Sequence, residues 1–365
     1  MAHVGTNPEF WGGRRVLVTG HTGFKGSWLS LWLSVMNARV FGFALAPPTT
    51  PSLFERGDVA GVLQDTRGDI RNFEAIFDVL QKARPEVVLH LAAQSVLRES
   101  YVDPIGTIST NVMGTVNVLE AVRQHNMKSK AAGANDLVRS LVIVTTDKCY
   151  ENREWVWGYR ENDPMGGHDP YSASKGCAEL LTSSYNRSFA EPAAASVRAG
   201  NVIGGGDWAK DRLIPDAIRA FAAGKVLEIR NPHAMRPWQH VLEPLSGYLL
   251  LAERLYDKGA SFAEGWNFGP GTDSEQTVAN LIEKLIAMWG NGAQWKNAGG
   301  DSPHEATFLK LDSSKAHFKL GWRPRLGFDD ALRLTAAWHQ QDLKHPASSM
   351  RDFTIGQIRE YVGAA

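Results

Sequence analysis

Residues 14–36, "RRVLVTGHTGFKGSWLSLWLSVM", run from a β-branched strand through a glycine-spaced turn into a long apolar helix. No other stretch limits the fold as strongly. Gly20, Gly23 and Gly26 lie where the strand ends and the helix begins. The first glycine permits a tight turn. The second lets backbone N–H groups approach a pyrophosphate, and the third lets helix and strand pack closely. With the strand before and the helix after both present, the triplet reads as a dinucleotide site. Thr22, Phe24 and Lys25 belong to the same loop, Lys25 as an additional phosphate contact.

Further strands are expected at "RVFGFAL", "EVVLHLAA", "SLVIVTT" and "AASVRAGNVIG", with helices at "NFEAIFDVLQKA", "PIGTISTNVMGTVNVLEAVRQH" and "YSASKGCAELLTSSYNRSF" between them. Strands apolar on both faces, alternating with helices, predict an α/β fold: a Rossmann-type, doubly wound parallel sheet. After about residue 205 the pattern loosens into loops bearing proline, tryptophan and glycine. The expected division is a dinucleotide-binding domain over 1–204 and a smaller C-terminal substrate lobe over 205–365, some of whose segments return to the first domain. "KSKAAGAND" reads as a surface loop.

In this architecture the ligand crevice lies outside the carboxyl ends of the strands. Asp69, with the Ile70 backbone, is placed to touch the adenine edge. Leu91, Ala92 and Ala93 let a cofactor pass close over the end of the fourth strand. The carboxylate expected about twenty residues after the glycines, to hold the ribose hydroxyls, is missing: "FALAPPTTPS" has none before Glu55. On the residues alone, that weakens the case for a tightly held NAD and leaves NADP open.

Tyr171 and Lys175 in "YSASK" lie four apart and share one helix face. A phenol with a reference pKa of about 10 is a poor base near neutrality. An ammonium one turn away stabilises the phenolate and lets it take a proton from a substrate alcohol. Thr146, at the end of an inner strand, can hydrogen-bond the same oxygen while hydride leaves for nicotinamide. Cys149 and Cys177, the only cysteines, read as buried packing thiols and point to a reducing compartment. Arg and Lys balance Asp and Glu at 39 each, which leaves no field for nucleic acid or acidic lipid. "SWLSLWLSVM" is too short for a membrane span. The first residues lack the apolar core of a secretory signal. The expectation is a cytoplasmic protein without a membrane span. His304 next to Glu305 has poor metal spacing, so they are expected to organise a loop and no metal is expected.

The glycine turn, Thr146 and the Tyr171/Lys175 pair resemble the extended short-chain dehydrogenases/reductases of the sugar-nucleotide-modifying branch. Within it "TGHTGFKGSWL", "TDKCYEN", "DPYSASK", "GNVIGGGDW", "RPWQHV" and "HEATFLKLD" resemble the family of CDP-glucose 4,6-dehydratases. The resemblance implies NAD as cofactor and CDP-glucose as the nucleotide-sugar substrate. It implies an internal redox cycle with loss of water, feeding deoxysugars to lipopolysaccharide of the O-antigen type. It also implies substrate contacts at Ser95, Asn201, Arg212, Arg236 and Asn267, and a homodimer whose helices pair as a four-helix bundle. On this reading Asp147 protonates the departing C6 hydroxyl. Lys148 is either the base at C5 or a cation stabilising the enolate. A sister epimerase or decarboxylase would need no acid/base pair after Thr146. A non-catalytic nucleotide sensor would be expected to lose Tyr171 or Lys175.

Overall fold

The structure is a computed structural model, and it describes residues 5–290, 292–299 and 308–363. His304 and Glu305 lie outside the described residues. Seven parallel strands form the central sheet. β1 (Arg15–Thr19), β2 (Arg39–Ala44), β3 (Gln64–Arg67), β4 (Val87–His90), β5 (Ser140–Val144) and β6 (Ala194–Arg198) are followed at the far edge by Gly265–Asn267. Their order is Gly265–Asn267, β6, β5, β4, β1, β2, β3. The chain starts mid-sheet and runs out one way from β1 to β3. It then returns to the other side of β1 for β4, which opens a crevice at the switch point. β5 and β6 are buried at every residue, as strands covered on both faces must be.

The helix Phe24–Val35 is apolar nearly all round because it is covered all round. One side meets the sheet and the other meets the C-terminal helix Arg351–Gly363. Trp28 donates its indole N–H to Gly205 O at 2.9 Å, and Trp32 packs edge-on against Tyr361. The helix Pro170–Ser188 starts where its sequence says it should. Asp169 caps it by accepting from Ser172 N at 2.9 Å, and Pro170 occupies the first turn.

The chain after residue 205 builds a second apolar cluster from Ile214, Ile218, Phe221, Leu227, Trp238, Leu281, Leu285 and Phe328. Short strand pairs frame it: Val202–Ile203 with Gln239–His240, and Leu227–Ile229 with Trp295–Asn297. The run "AASVRAGNVIG", read as one strand, is therefore two, with Val202–Ile203 outside the main sheet. Gly265–Asn267 and the helices Leu242–Lys258 and Arg351–Gly363 come back to the first half of the chain. The stretch read as a loop from 128 begins later, since the helix Gly114–Ala131 carries Lys128 and Lys130 in its last turn. No helix among the described residues is long and apolar enough to cross a membrane.

Candidate active site

A cleft of about 940 Å³ runs along the carboxyl ends of the strands, between the sheet and the later residues. The glycine turn forms one end of it. Gly20 has φ +76°, and a side chain there would meet the Ala92 backbone at 2.6 Å. A Cβ on Gly26 would lie 2.1 Å from Gly20 O, so helix and turn touch directly. Gly23 caps the helix without a side chain, which leaves the first-turn backbone facing the cleft beside Thr22, Phe24 and Lys25. That cradle fits a pyrophosphate. Asp69, Ile70, Leu91, Ala92 and Ala93 line the same wall. Asp69 is drawn below the usual carboxylate range by Arg71, which binds it at 2.5 Å.

The end of β2 contributes Ala44, Leu45, Ala46, Pro48 and Thr49 to the cleft, and none is a carboxylate. The Leu45 carbonyl is already occupied, accepting from Thr22 Oγ1 at 3.0 Å and from Arg67 Nη1 at 2.9 Å. Within the glycine loop, His21 is turned inward onto Asp65 at 2.8 Å. Burial keeps its imidazole below its ordinary pKa. Lys25 also turns inward. Burial lowers it to about 8, with Arg212 and Lys175 adding to the fall and Asp147 opposing it. Its charge therefore reaches the reacting end of the cleft as well as the phosphate end.

At that end β5 leaves the sheet and turns at once, with Thr146 as cap of a short 3-10 turn, Asp147–Cys149. Thr146 Oγ1 donates to Asp147 Oδ1 at 3.0 Å, and Lys148 Nζ stands 3.9 Å from that same oxygen. Asp147 is 1% exposed, and its Oδ2 is buried without a partner. The Lys148 side chain keeps 35% of its exposure. Neighbours in sequence thus present a buried carboxyl and a solvent-touched amine to one space. Tyr171 and Lys175 face them from the helix Pro170–Ser188. Burial pushes the Tyr171 phenol up to about 12, with the Thr146 hydroxyl and Arg212 opposing. Lys175, lowered to about 8 by burial, donates to Val144 O at 3.0 Å. Its ammonium thus binds the strand, and burial outweighs the charges that would lower the phenol.

Of the expected substrate residues, Ser95, Asn201, Arg212 and Arg236 line the cleft. Arg212 is held by Asp207 at 3.0 Å and donates to Ser95 Oγ at 3.2 Å, so two of them meet directly. Asn267 is placed differently. It is fully buried, accepts from Tyr150 OH at 2.8 Å, and donates to Tyr159 O at 2.8 Å and Asp312 O at 3.1 Å. It braces the floor behind the cleft and does not line it. Cys149 is buried as expected, and burial raises its thiol well above the ordinary value. Cys177, expected to be buried too, is exposed. It follows Lys175 by two residues, which turns it to the opposite side of the helix. Sequence reading missed Asp207, which lies inside "GGGDW" and anchors Arg212. It also missed the Glu179/Arg198 pair beneath the turn after β5, for which no local motif gives a signal.

A parallel sheet with a glycine cradle at its switch point, and a Thr, Tyr and Lys gathered over one cleft, defines a dinucleotide-binding Rossmann protein. The chain belongs to the GDP-mannose 4,6 dehydratase family, whose sequence model matches residues 17–335. It is 55% identical over 364 residues, 98% of each chain, to the CDP-glucose 4,6-dehydratase of Salmonella typhimurium. It is 27% identical to the dTDP-glucose 4,6-dehydratase of Xanthomonas campestris, over 88% of this chain and 92% of that one. Among solved structures it resembles the UDP-glucose 4-epimerase of Thermus thermophilus in complex with NAD (TM-score 0.75, 25% identity, 89% and 99% covered). In fold it also resembles the dTDP-glucose 4,6-dehydratase of Bacillus anthracis (TM-score 0.75, 23% identity, 90% and 97% covered).

Proposed function

We propose that this protein is a CDP-glucose 4,6-dehydratase, converting CDP-glucose to CDP-4-dehydro-6-deoxyglucose and water. The observation that carries the reading is the meeting of the Thr146–Asp147–Lys148 turn with Tyr171 and Lys175 over one cleft. The near full-length likeness to the Salmonella enzyme of that activity supports the choice of substrate. NAD is the cofactor on this reading. The Gly20–Gly26 turn with Asp69, Ile70 and Ala92 would hold NAD, which would supply the hydride acceptor for C4 and the hydride donor for C6.

The chain's own residues supply the proton chemistry. Tyr171 takes the proton of the C4 hydroxyl while Thr146 Oγ1 holds that oxygen. The ketone formed at C4 makes the C5 proton acidic. Asp147 gives a proton to the C6 hydroxyl, which leaves as water; it is buried, and its unpartnered Oδ2 is the oxygen open to that hydroxyl. Lys148 acts at C5, as the base or as the cation beside the enolate. Arg212, fixed by Asp207, and Arg236 suit the two-point geometry of diphosphate oxygens. An epimerase needs no Asp147–Lys148 pair, so these two residues favour dehydration.

Exposed apolar side chains lie at Val102, Ile105, Ile108 and Met113, over residues 102–113, and at Leu180 on the helix Pro170–Ser188. A homodimer through a four-helix bundle would cover them. We place the boundary between the cofactor-binding and substrate parts near residue 204, and the protein in the cytoplasm. The test is mass spectrometry of purified protein with a panel of nucleoside-diphosphate glucoses, each with NAD and with NADP. Loss of water from CDP-glucose alone, with NAD, is expected. Water loss from another nucleotide in preference, an epimer as product, or a preference for NADP would overturn the corresponding part.

A further inference from the structure

The helix that carries Tyr171 and Lys175 has a third ionisable group on the same face. Glu179 lies one turn beyond Lys175 and is 4% exposed. Its carboxylate is fully engaged. Arg198 of β6 donates through Nε to Oε1 at 2.9 Å and through Nη2 to Oε2 at 2.7 Å. Ser196 Oγ donates to Oε2 at 2.5 Å, and Thr145 Oγ1 donates to Oε1. Arg198 is also buried, and its Nη1 donates to Tyr150 OH at 2.5 Å and to Glu161 O at 3.3 Å. One carboxylate thus joins the helix of Tyr171 and Lys175 to Thr145, the residue before Thr146. Through Arg198 it reaches Tyr150, two residues past Lys148. Thr145 and Tyr150 line the cleft, whereas Glu179 and Arg198 do not.

Stability alone is a weak reason for such a pair, because well-packed apolar residues commonly serve as well in a core. We propose that Glu179, clamped by Arg198, is a positioning residue. It sets the Tyr171/Lys175 helix against the turn after β5 and holds a negative charge one helical turn from Lys175. The proposal rests on the reading of this cleft as a reaction centre.

The groups facing Lys175 bear it out in sign. Burial lowers Lys175 to about 8, and Glu179 is the strongest influence opposing the fall. Cys149, from the turn after β5, has its thiol pushed far up and is neutral. His90, from β4, is lowered to about 3 by burial and is neutral. Lys25, from the glycine loop, repels Lys175 whenever it is charged. Asp147 faces Lys25 and Tyr171. With Glu179 neutralised, Lys175 loses its main negative neighbour and gives up its proton at lower pH.

The test compares wild type with the double variant Glu179→Gln/Arg198→Met, which removes both charges, keeps the side-chain shape of Glu179 and keeps an acceptor for one of the two hydroxyls, Thr145 or Ser196. The Lys175 titration is followed in ligand-free protein by carbon-13 lysine NMR, with the signal assigned through Lys175→Arg. The midpoint is expected to fall by about one unit. The single-turnover reduction of NAD by the nucleotide sugar at neutral pH is expected to fall about tenfold or more. Binding of NAD and of a nucleoside diphosphate should stay at wild-type strength, because neither charged group reaches the cleft. An unmoved Lys175 midpoint overturns the charge role, and an unmoved first step overturns the positioning role. The NMR readout needs no substrate, so an error in the substrate assignment cannot imitate either outcome. If the double variant does not fold, Glu179→Asp carries the test. It keeps the charge but shortens the clamp by a methylene, and a wild-type first step would overturn the proposal.

Discussion

Replacing Gly200 by alanine probes the Asp147 carboxyl without removing it. A Cβ built on Gly200 lies 2.6 Å from Asp147 Oδ2, 3.2 Å from its Cγ and 3.5 Å from Pro237 Cγ. A carbon and an oxygen in normal contact stand well beyond 3 Å apart, so the carboxyl must retreat by about half an ångström. Little resists its rotation. Oδ2 has no partner, and Oδ1 is held by the 3.0 Å bond from Thr146 and the 3.9 Å approach of Lys148. The added methyl should cost about 1–3 kcal/mol of stability as overpacking. Misplacement of a reacting group by an ångström costs on the order of 10²-fold, and half that displacement should slow elimination about tenfold. Tyr171 and Lys175 lie across the cleft and should oxidise C4 as before. The assay is a single turnover with NAD and CDP-glucose, followed both by the absorbance of reduced cofactor and by the 4-dehydro product in alkali. Reduced cofactor should accumulate in the variant. If product forms at the wild-type rate with no accumulation, or oxidation falls as far as elimination, Asp147 is not the group that serves the C6 hydroxyl.

Tyr171→Phe should abolish the first step by about 10²–10⁴-fold with binding little changed, and near wild-type reduction of NAD would refute its role as base. Lys148→Met should leave reduction of NAD intact and stall before elimination. Deuterium exchange at C5 in the stalled variant decides its part: full exchange at the wild-type rate means another group is the base. Away from the cleft, Glu243 accepts from Arg325 N, Leu326 N and Tyr361 OH and is raised to about 7 by burial, against an ordinary 4.5. Folded protein therefore binds more protons here than the unfolded chain between those values, so this group's stabilisation is present below about 4.5 and lost as pH rises through about 7. Glu243→Gln should flatten the fall in Tm across that window, and an unchanged slope would refute the assignment.

The local signals determined what they could reach. "VLVTGHTGFKG" names a strand, a tight turn and a helix because β-branched residues, spaced glycines and an apolar run each restrict the backbone within a few residues of themselves. "YSASK" puts two side chains on one face because a helix repeats every 3.6 residues. Thr146, Asp147 and Lys148 are adjacent, so their convergence at a strand end was readable before any contact was known. Tertiary structure decided what depends on partners distant in the chain. Asn267 carries the polar side chain of a substrate ligand, but strand pairing beside β6 drew it behind the wall to brace Tyr150. Whether the Lys175 ammonium lay against Tyr171 or against the Val144 carbonyl depended on how helix and strand met, which spacing does not encode. Glu179 and Arg198 come together from a helix and a strand, and neither has a neighbour in sequence that marks it. Their charges are tolerable in the core only because each neutralises the other there, and that condition exists only once the chain has folded.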